Sequence, residues 1–141
     1  MNKLVTSAHF DSAHFLFGYV GKCKNIHGHR WTVRVTVEGE ELISSGEKRG
    51  MLIDFSDLKA AVKALADRLD HKLIYETGSL KPSTVTALDD EGFALFEVPF
   101  RPTAECFARF FFDELKNGGL SVCRVEVFET PDNCAVYEVE K

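Results

Sequence analysis

The sequence predicts an α+β fold in which an antiparallel sheet carries two helices packed on one face. Residues 26–38 alternate between apolar and polar side chains, which is typical of a strand with one solvated face. Over residues 55–69, and again over residues 103–115, apolar side chains recur every three or four positions, as in amphipathic helices. Most strands are therefore expected near the two ends of the chain, with the helices between them.

Composition indicates one globular domain spanning residues 1–141, because 45% of the residues are hydrophobic and 28% are charged. The net charge of −5 argues against a nucleic-acid partner. No apolar run approaches the length of a membrane span, and the N-terminus shows no export signal. The four cysteines are therefore expected to be reduced thiols in a cytoplasmic protein.

The N-terminal part of the chain is predicted to form two strands. Residues 4–15 alternate weakly and place His14 on the same side as Phe10, whereas residues 26–38 alternate clearly. The segment between them contains glycines and carries Cys23, so it is predicted to be a loop.

The middle of the chain is predicted to contain the first helix and a hairpin. Residues 51–53 form a short strand in this prediction, and either Asp54 or Ser56 caps the helix that follows. A further short strand is predicted at residues 72–75. Two more, at residues 84–87 and 93–98, flank the turn-forming sequence at residues 89–92.

The last part of the chain is predicted to form a second helix and two strands. Thr103 is the expected N-cap of the helix, and a run of asparagine and glycines at residues 117–119 ends it. Residues 120–129 and 134–140 show strand periodicity.

Histidines at alternate positions point to metal binding. His27 and His29 share the apolar face of the predicted strand, where an unpaired imidazole requires a partner. With His14 from the neighbouring strand they would supply three nitrogen ligands, the usual number for a catalytic zinc ion with one open position. The alternative is that these are core histidines with ordinary hydrogen-bond partners.

Two acidic positions are further candidates for function. Asp70 precedes His71 at the end of the first helix, where a carboxylate could orient an imidazole for proton transfer. Glu129 follows Val125 and Val127 on an apolar strand face, where it could accept hydrogen bonds from a ligand. The alternatives are an ordinary helix end and a carboxylate that reaches solvent at the end of its strand.

Six short motifs follow one another along almost the whole chain: Ala13-His14, Cys23-x-x-x-His27-Gly28-His29, Ile53-Asp54-Phe55-x-x-Leu58-Lys59, Leu69-Asp70-His71, Pro102-Thr103-Ala104-Glu105 and Phe128-Glu129-Thr130. In this order they resemble the 6-pyruvoyl-tetrahydropterin synthase family. The short gap between Cys23 and His27 resembles that of the family's carboxy-forming branch, because the corresponding gap in the pyruvoyl branch is usually longer. The segment around residues 80–100 is longer than in compact members.

The resemblance implies a tunnelling fold that assembles through its strands into barrels, often as homohexamers of two trimers. It implies a zinc-dependent lyase of queuosine biosynthesis that acts on a small pterin, 7,8-dihydroneopterin triphosphate. The products would be 6-carboxy-5,6,7,8-tetrahydropterin, acetaldehyde and triphosphate. Carried over by position, the family's roles would be zinc binding for His14, His27 and His29, general base for Cys23, proton transfer for Asp70 and His71, and pterin binding for Glu129 and Thr103.

Other functions remain open at this point. Within the family, the chain could form 6-pyruvoyl-tetrahydropterin or cleave dihydroneopterin as an aldolase does. Cys23 argues against the second, because in some bacterial relatives the aldolase activity goes with a glutamate near this position. From a different class, a non-enzymatic oligomer could hold a structural zinc ion, since closed sites use four protein ligands and Cys23 could be the fourth.

Overall fold

The computed structural model describes residues 1–140, in which six strands form one sheet and three α-helices accompany it. The elements are β1 (Asn2–His14), a short 3-10 helix (Lys22–Lys24), β2 (His27–Gly39), α1 (Phe55–Leu69), β3 (Leu73–Glu76), α2 (Pro82–Asp90), β4 (Leu95–Val98), α3 (Ala104–Asn117), β5 (Val122–Thr130) and β6 (Asn133–Glu138). None of these helices is long and apolar enough to cross a membrane.

The strand order in the sheet is β4-β3-β1-β2-β5-β6. Strands β1, β2, β5 and β6 are antiparallel neighbours, whereas β3 runs parallel to both β1 and β4. The predicted α+β class is confirmed, but the sheet is mixed rather than purely antiparallel. The predicted strands at both ends of the chain and the first and last helices are also confirmed, to within about two residues at most boundaries.

The hairpin predicted around residues 84–98 is wrong. Residues 84–87 belong to α2, so the protein has three helices rather than two, and β4 is the only strand in this segment. Pro82 occupies the first helical turn, where its missing N–H is not needed. Because β3 and β4 are parallel, they need a crossover connection between them, and α2 supplies it.

The short strand predicted at residues 51–53 is also wrong, since this segment is irregular and joins no sheet neighbour among residues 1–140. Leu52 instead packs against the hydrophobic core. The helix that follows is capped by Asp54, whose carboxylate accepts a hydrogen bond from the backbone N–H of Ser56 at 2.8 Å. Asp54 is thus the N-cap, and Ser56 lies inside the helix.

Helices α1 and α3 pack on the sheet and form its core with the inward face of the central strands. Phe10 of β1 and Trp31 of β2 are fully buried, and their rings stack with centroids 5.9 Å apart. Phe107 and Phe111 of α3 contact these rings from above the sheet. This aromatic cluster gives the neighbouring ends of β1 and β2 a rigid base, because protein cores are closely packed.

Candidate active site

Three histidines meet at the end of the β1–β2 hairpin. His14 and His27 are directly opposite each other in the antiparallel register, and His29 lies two residues further along β2 on the same face. The centroids of the His14 and His27 rings are 4.5 Å apart, and that of His29 lies 5.2 Å and 4.9 Å from them. The predicted histidine cluster is therefore present, and strand pairing explains it.

Backbone carbonyls orient two of the three rings. Nδ1 of His14 donates a hydrogen bond to the Pro102 carbonyl at 2.6 Å, and Nδ1 of His27 donates to the Asn25 carbonyl at 2.7 Å. Because a carbonyl oxygen only accepts, both Nδ1 atoms carry a proton. In the neutral rings each Nε2 is then a lone-pair donor to a cation, which is the arrangement found in histidines that bind metals.

The Nε2 atoms of His14 and His27 are 3.1 Å apart. A neutral imidazole with its proton on Nδ1 has no hydrogen on Nε2 to donate to the other ring. Two lone pairs that face each other at this distance repel unless a proton or a metal ion lies between them. The pair is therefore well suited to share a cation.

His29 and Glu129 complete the cluster. Nε2 of His29 lies 3.1 Å from Oε1 of Glu129, but the contact lacks hydrogen-bond geometry. Across residues 1–140, His29 Nε2 is the buried side-chain polar atom that is left without a hydrogen-bond partner. The candidate ligand atoms of His14, His27, His29 and Glu129 all lie within 4.8 Å of one another, so this group could hold a metal ion.

Burial keeps His14 and His29 in the form that binds metals. Desolvation is the main effect that lowers the pKa of His14 to about 4, and the nearby His27 and His29 rings lower it further against the opposing hydrogen bond to Pro102. Burial also lowers the pKa of His29, although the Glu129 carboxylate partly opposes this. Both rings are therefore neutral near pH 7, where a metal ion does not have to displace a proton.

Trp31 forms the floor beneath the histidines. Its ring is fully buried and lies edge-on to those of His14 and His29, with centroids 5.0 Å and 5.3 Å away. On its other side Trp31 contacts Phe107 of α3, and Nε1 donates to the Ser12 carbonyl at 3.4 Å. The histidine cluster is thus built directly on the aromatic core.

Cys23 lies in the 3-10 helix of the β1–β2 loop and is half-buried. Its carbonyl accepts a hydrogen bond from the Leu16 N–H at 2.8 Å, which links the 3-10 helix to the residues that follow β1. The group of candidate ligands found within residues 1–140 does not include the Cys23 thiol. This arrangement favours a role for Cys23 other than metal ligand.

Asp70 and His71 form a hydrogen-bonded pair directly after α1. The Asp70 carboxylate accepts from His71 Nδ1 and from the backbone N–H of Asp11, each at 2.8 Å. The hydrogen bond from Asp11 is the main cause, and that from His71 the second, of the lowered pKa of Asp70. His71 adopts a left-handed backbone with φ of 56°, and its ring is largely exposed.

In the described part of the chain, the Asp70–His71 pair makes no side-chain hydrogen bond with the histidine cluster. An open groove of about 560 Å³ is nevertheless lined by both His29 and His71, together with side chains of β3, α2 and β4. One residue of each group, His29 and His71, therefore lines the same groove.

The profile of the 6-pyruvoyl tetrahydropterin synthase family matches residues 3–140. The chain belongs to this family. A protein of Haemophilus influenzae named 6-carboxy-5,6,7,8-tetrahydropterin synthase is 42% identical over 141 residues, covering 98% of this chain and 99% of its own. A protein of the same name from Aquifex aeolicus is 34% identical and covers 86% of this chain and 78% of its own.

Solved structures show the same fold. An uncharacterized protein from Wolinella succinogenes superimposes with a TM-score of 0.80 at 21% identity, covering 99% of this chain and 98% of its own. The 6-pyruvoyl tetrahydropterin synthase of Caenorhabditis elegans superimposes with a TM-score of 0.66 at 24% identity and covers 99% and 96% of the two chains. The tunnelling fold implied by the sequence motifs is therefore confirmed.

One predicted site residue, Thr103, has a structural role in the fold. Thr103 is the N-cap of α3, because its hydroxyl oxygen accepts from the Cys106 N–H at 3.2 Å. Sequence reasoning missed the carbonyls of Asn25 and Pro102, which orient two histidines. No side-chain pattern could have identified them, because every residue has the same backbone carbonyl. Only the position of a residue in the fold decides which carbonyl meets a histidine.

Proposed function

We propose that this protein is a zinc-dependent lyase that converts 7,8-dihydroneopterin triphosphate to 6-carboxy-5,6,7,8-tetrahydropterin, acetaldehyde and triphosphate in queuosine biosynthesis. The observation that carries the proposal is the cluster of three histidines with converging nitrogens at the end of the β1–β2 hairpin. The relatives named 6-carboxy-5,6,7,8-tetrahydropterin synthase, similar over most of the chain, support the choice of the carboxy product. We also propose that the enzyme works in the cytoplasm.

Zinc fits the donor set. Two nitrogen ligands of a tetrahedral zinc ion, each about 2.0–2.1 Å from the metal, lie about 3.3–3.4 Å apart. The 3.1 Å separation of the His14 and His27 Nε2 atoms is close to this value. His14, His27 and His29 would hold the ion, and three protein ligands leave a position for substrate.

The bound zinc ion would supply Lewis acidity toward the hydroxyls of the substrate side chain. Cys23 is the proposed general base that removes a proton from the substrate side chain, because a thiolate near cationic groups is a competent base near neutral pH. Asp70 holds the Nδ1 proton of His71, so that Nε2 of His71 can accept or return a proton in the groove shared with His29.

Glu129 is the proposed anchor for the pterin ring. A carboxylate can accept hydrogen bonds from two adjacent N–H groups, which matches the aminopyrimidinone edge of a pterin. Glu129 Oε1 lies 3.1 Å from His29 Nε2, so a pterin held there would have its side chain next to the metal ligands. Thr103, which caps α3 beside Pro102, is proposed to assist at the same site.

We expect Glu129→Gln to weaken pterin binding while the fold and the zinc content stay unchanged. The amide keeps the size of the side chain but loses the charge and one acceptor, and breaking such a charged pair typically costs about 2 kcal/mol or more. Fluorescence titration with a pterin measures the affinity, and Glu126→Gln, on the opposite face of the same strand, is the matched control. Equal affinity in wild type and Glu129→Gln would show that another group anchors the ring.

Product analysis tests the reaction itself. The zinc-loaded protein is incubated with 7,8-dihydroneopterin triphosphate, and mass spectrometry identifies the pterin and the two-carbon product. We expect 6-carboxy-5,6,7,8-tetrahydropterin with acetaldehyde. A pyruvoyl product, cleavage of dihydroneopterin, or no turnover by the folded zinc-loaded protein would overturn the proposal.

We also expect the protein to be an oligomer, and we propose a homohexamer. Strands β4 and β6 lie at the two edges of the sheet, where each has a neighbour on one side only within residues 1–140. Unpaired strand edges favour association through backbone hydrogen bonds. Light scattering at micromolar concentration should give about six times the chain mass, and the mass of a single chain would contradict the prediction.

A further inference from the structure

We propose that Arg101 is a positioning residue for Cys23 because it holds the β1–β2 loop in place against the segment that precedes α3. The proposal rests on the proposed function only in taking Cys23 as the base. Arg101 makes two contacts with the loop, and each acts on a different part of it.

The first contact is a hydrogen bond to the loop backbone. Nη2 of Arg101 donates to the Phe17 carbonyl at 2.9 Å, across 84 residues of sequence. The neighbouring residue Leu16 donates its N–H to the Cys23 carbonyl at 2.8 Å. Arg101 therefore fixes the same stretch of backbone to which Cys23 is hydrogen-bonded.

The second contact is with an aromatic ring. The Arg101 guanidinium carbon lies 5.8 Å from the centroid of the Tyr19 ring, within the range of a cation–π interaction. The Tyr19 ring in turn lies against Gly21, since a Cβ at Gly21 would be only 2.8 Å from Tyr19 Cε1. Gly21 directly precedes the 3-10 helix that carries Cys23. Arg101 therefore acts on Cys23 through the Tyr19 ring and the backbone of Gly21.

The segment that contains Arg101 also orients His14, one of the proposed metal ligands. Pro102, the next residue, accepts the hydrogen bond from His14 Nδ1, and the Thr103 N–H donates to the Arg101 carbonyl at 2.8 Å. One short segment thus orients the histidine cluster through Pro102 and the cysteine loop through Arg101. This connection sets the distance between the proposed base and the metal ligands.

The loop has little apolar packing to hold its conformation. Phe17 is 58% exposed and Val20 is 96% exposed, so the apolar side chains of the loop contribute little packing. Segments with few buried apolar contacts open easily, and a polar attachment then has a large effect on their conformation. Cys23 is the proposed catalytic group on this loop.

The test compares Arg101→Leu with wild type in the zinc-loaded protein. We expect kcat to fall about 10–100-fold, because a misplacement of a catalytic group by about 1 Å has effects of this size, while KM and the zinc content stay close to wild type. The rate of alkylation of Cys23 by iodoacetamide, measured by peptide mass spectrometry, should rise relative to that of the exposed Cys134 in the same chain. Arg101→Lys, which keeps the charge but lacks the planar fork, should be intermediate.

Arg109→Leu is the matched control. Arg109 also stacks on a tyrosine ring, with its guanidinium carbon 5.1 Å from the centroid of Tyr137, and pairs with Asp113, but it lies on α3 away from the loop. Arg109→Leu should leave kcat and Cys23 alkylation unchanged. Tyr19→Ala should reproduce the effect of Arg101→Leu, and the double variant should lose less than the product of the two single effects, because contacting residues are coupled.

Two results would overturn the proposal, and a third would remove the part of it that depends on Tyr19. A rise in KM with unchanged kcat and unchanged Cys23 alkylation would make Arg101 a substrate contact. Loss of zinc in Arg101→Leu would show that it acts through His14, and strictly additive effects of Arg101→Leu and Tyr19→Ala would exclude the path through Tyr19. If wild type does not convert the pterin, the proposed function fails, but alkylation and the coupling with Tyr19 measured by alkylation still decide the role of Arg101.

Discussion

Replacing Cys23 by alanine is expected to lower turnover by about 10²–10⁴-fold, the usual contribution of a positioned general base. The protein should keep its zinc and its affinity for substrate. The reason is the position of the thiol, which lies on the loop between the two histidine strands but outside the group of candidate ligand atoms. Removal of the thiol therefore removes a proton acceptor without removing a ligand.

Zinc content and turnover of Cys23→Ala should be measured on the same folded sample, because the pair of values distinguishes three roles. Normal zinc with lost turnover indicates a base. Normal zinc with normal turnover indicates a structural thiol, whose removal changes only stability, and lost zinc indicates a ligand and favours a structural metal site. Cys134→Ala, which removes an exposed thiol from β6, is the control and should behave as wild type.

The site was predictable from sequence where it depends on strand periodicity. Alternation over residues 26–38 places His27 and His29 on one face, and the β1–β2 pairing brings His14 opposite His27 as expected. Glu129 was predicted to face inward after Val125 and Val127, but its proximity to His29 was not. That contact depends on the lateral order of β2 and β5 in the sheet, which no local pattern determines.

The error at α2 has a physical reason. Residues 84–87 have the sequence Thr-Val-Thr-Ala, and β-branched side chains favour strands. The helix is only nine residues long and buries none of its side chains, so it lacks the apolar stripe that reveals α1 and α3. The parallel pairing of β3 with β4, which requires the crossover, is a tertiary feature that local propensity does not show.

The region around α3 contains both features that the sequence predicts and one that it does not. Thr103 and the apolar positions of the helix identify its start and its inward face correctly. The Pro102 carbonyl that orients His14 comes from 88 residues further along the chain. Side-chain types therefore identified the candidate ligands, whereas the groups that orient them are backbone atoms supplied by the fold.

The second large effect is expected for His27→Ala and His29→Ala, each of which should reduce bound zinc from about one ion per chain to almost none after dialysis. Each substitution leaves two imidazoles, fewer than the three protein ligands that catalytic zinc sites normally use. His27 and His29 are better choices than His14, because they are only partly buried, whereas His14 is almost completely buried. Their replacement should therefore disturb the core less.

Metal analysis of these variants needs a histidine control and a check of folding. His9→Ala is suitable, because His9 lies on the opposite face of β1, where its ring hydrogen-bonds to Thr32 at 3.0 Å. It should keep wild-type zinc, and circular dichroism should show that all three variants are folded. Full zinc content in both His27→Ala and His29→Ala would mean that the metal binds elsewhere. The general-base role proposed for Cys23 would then fail too, because it requires a substrate bound to zinc at these histidines.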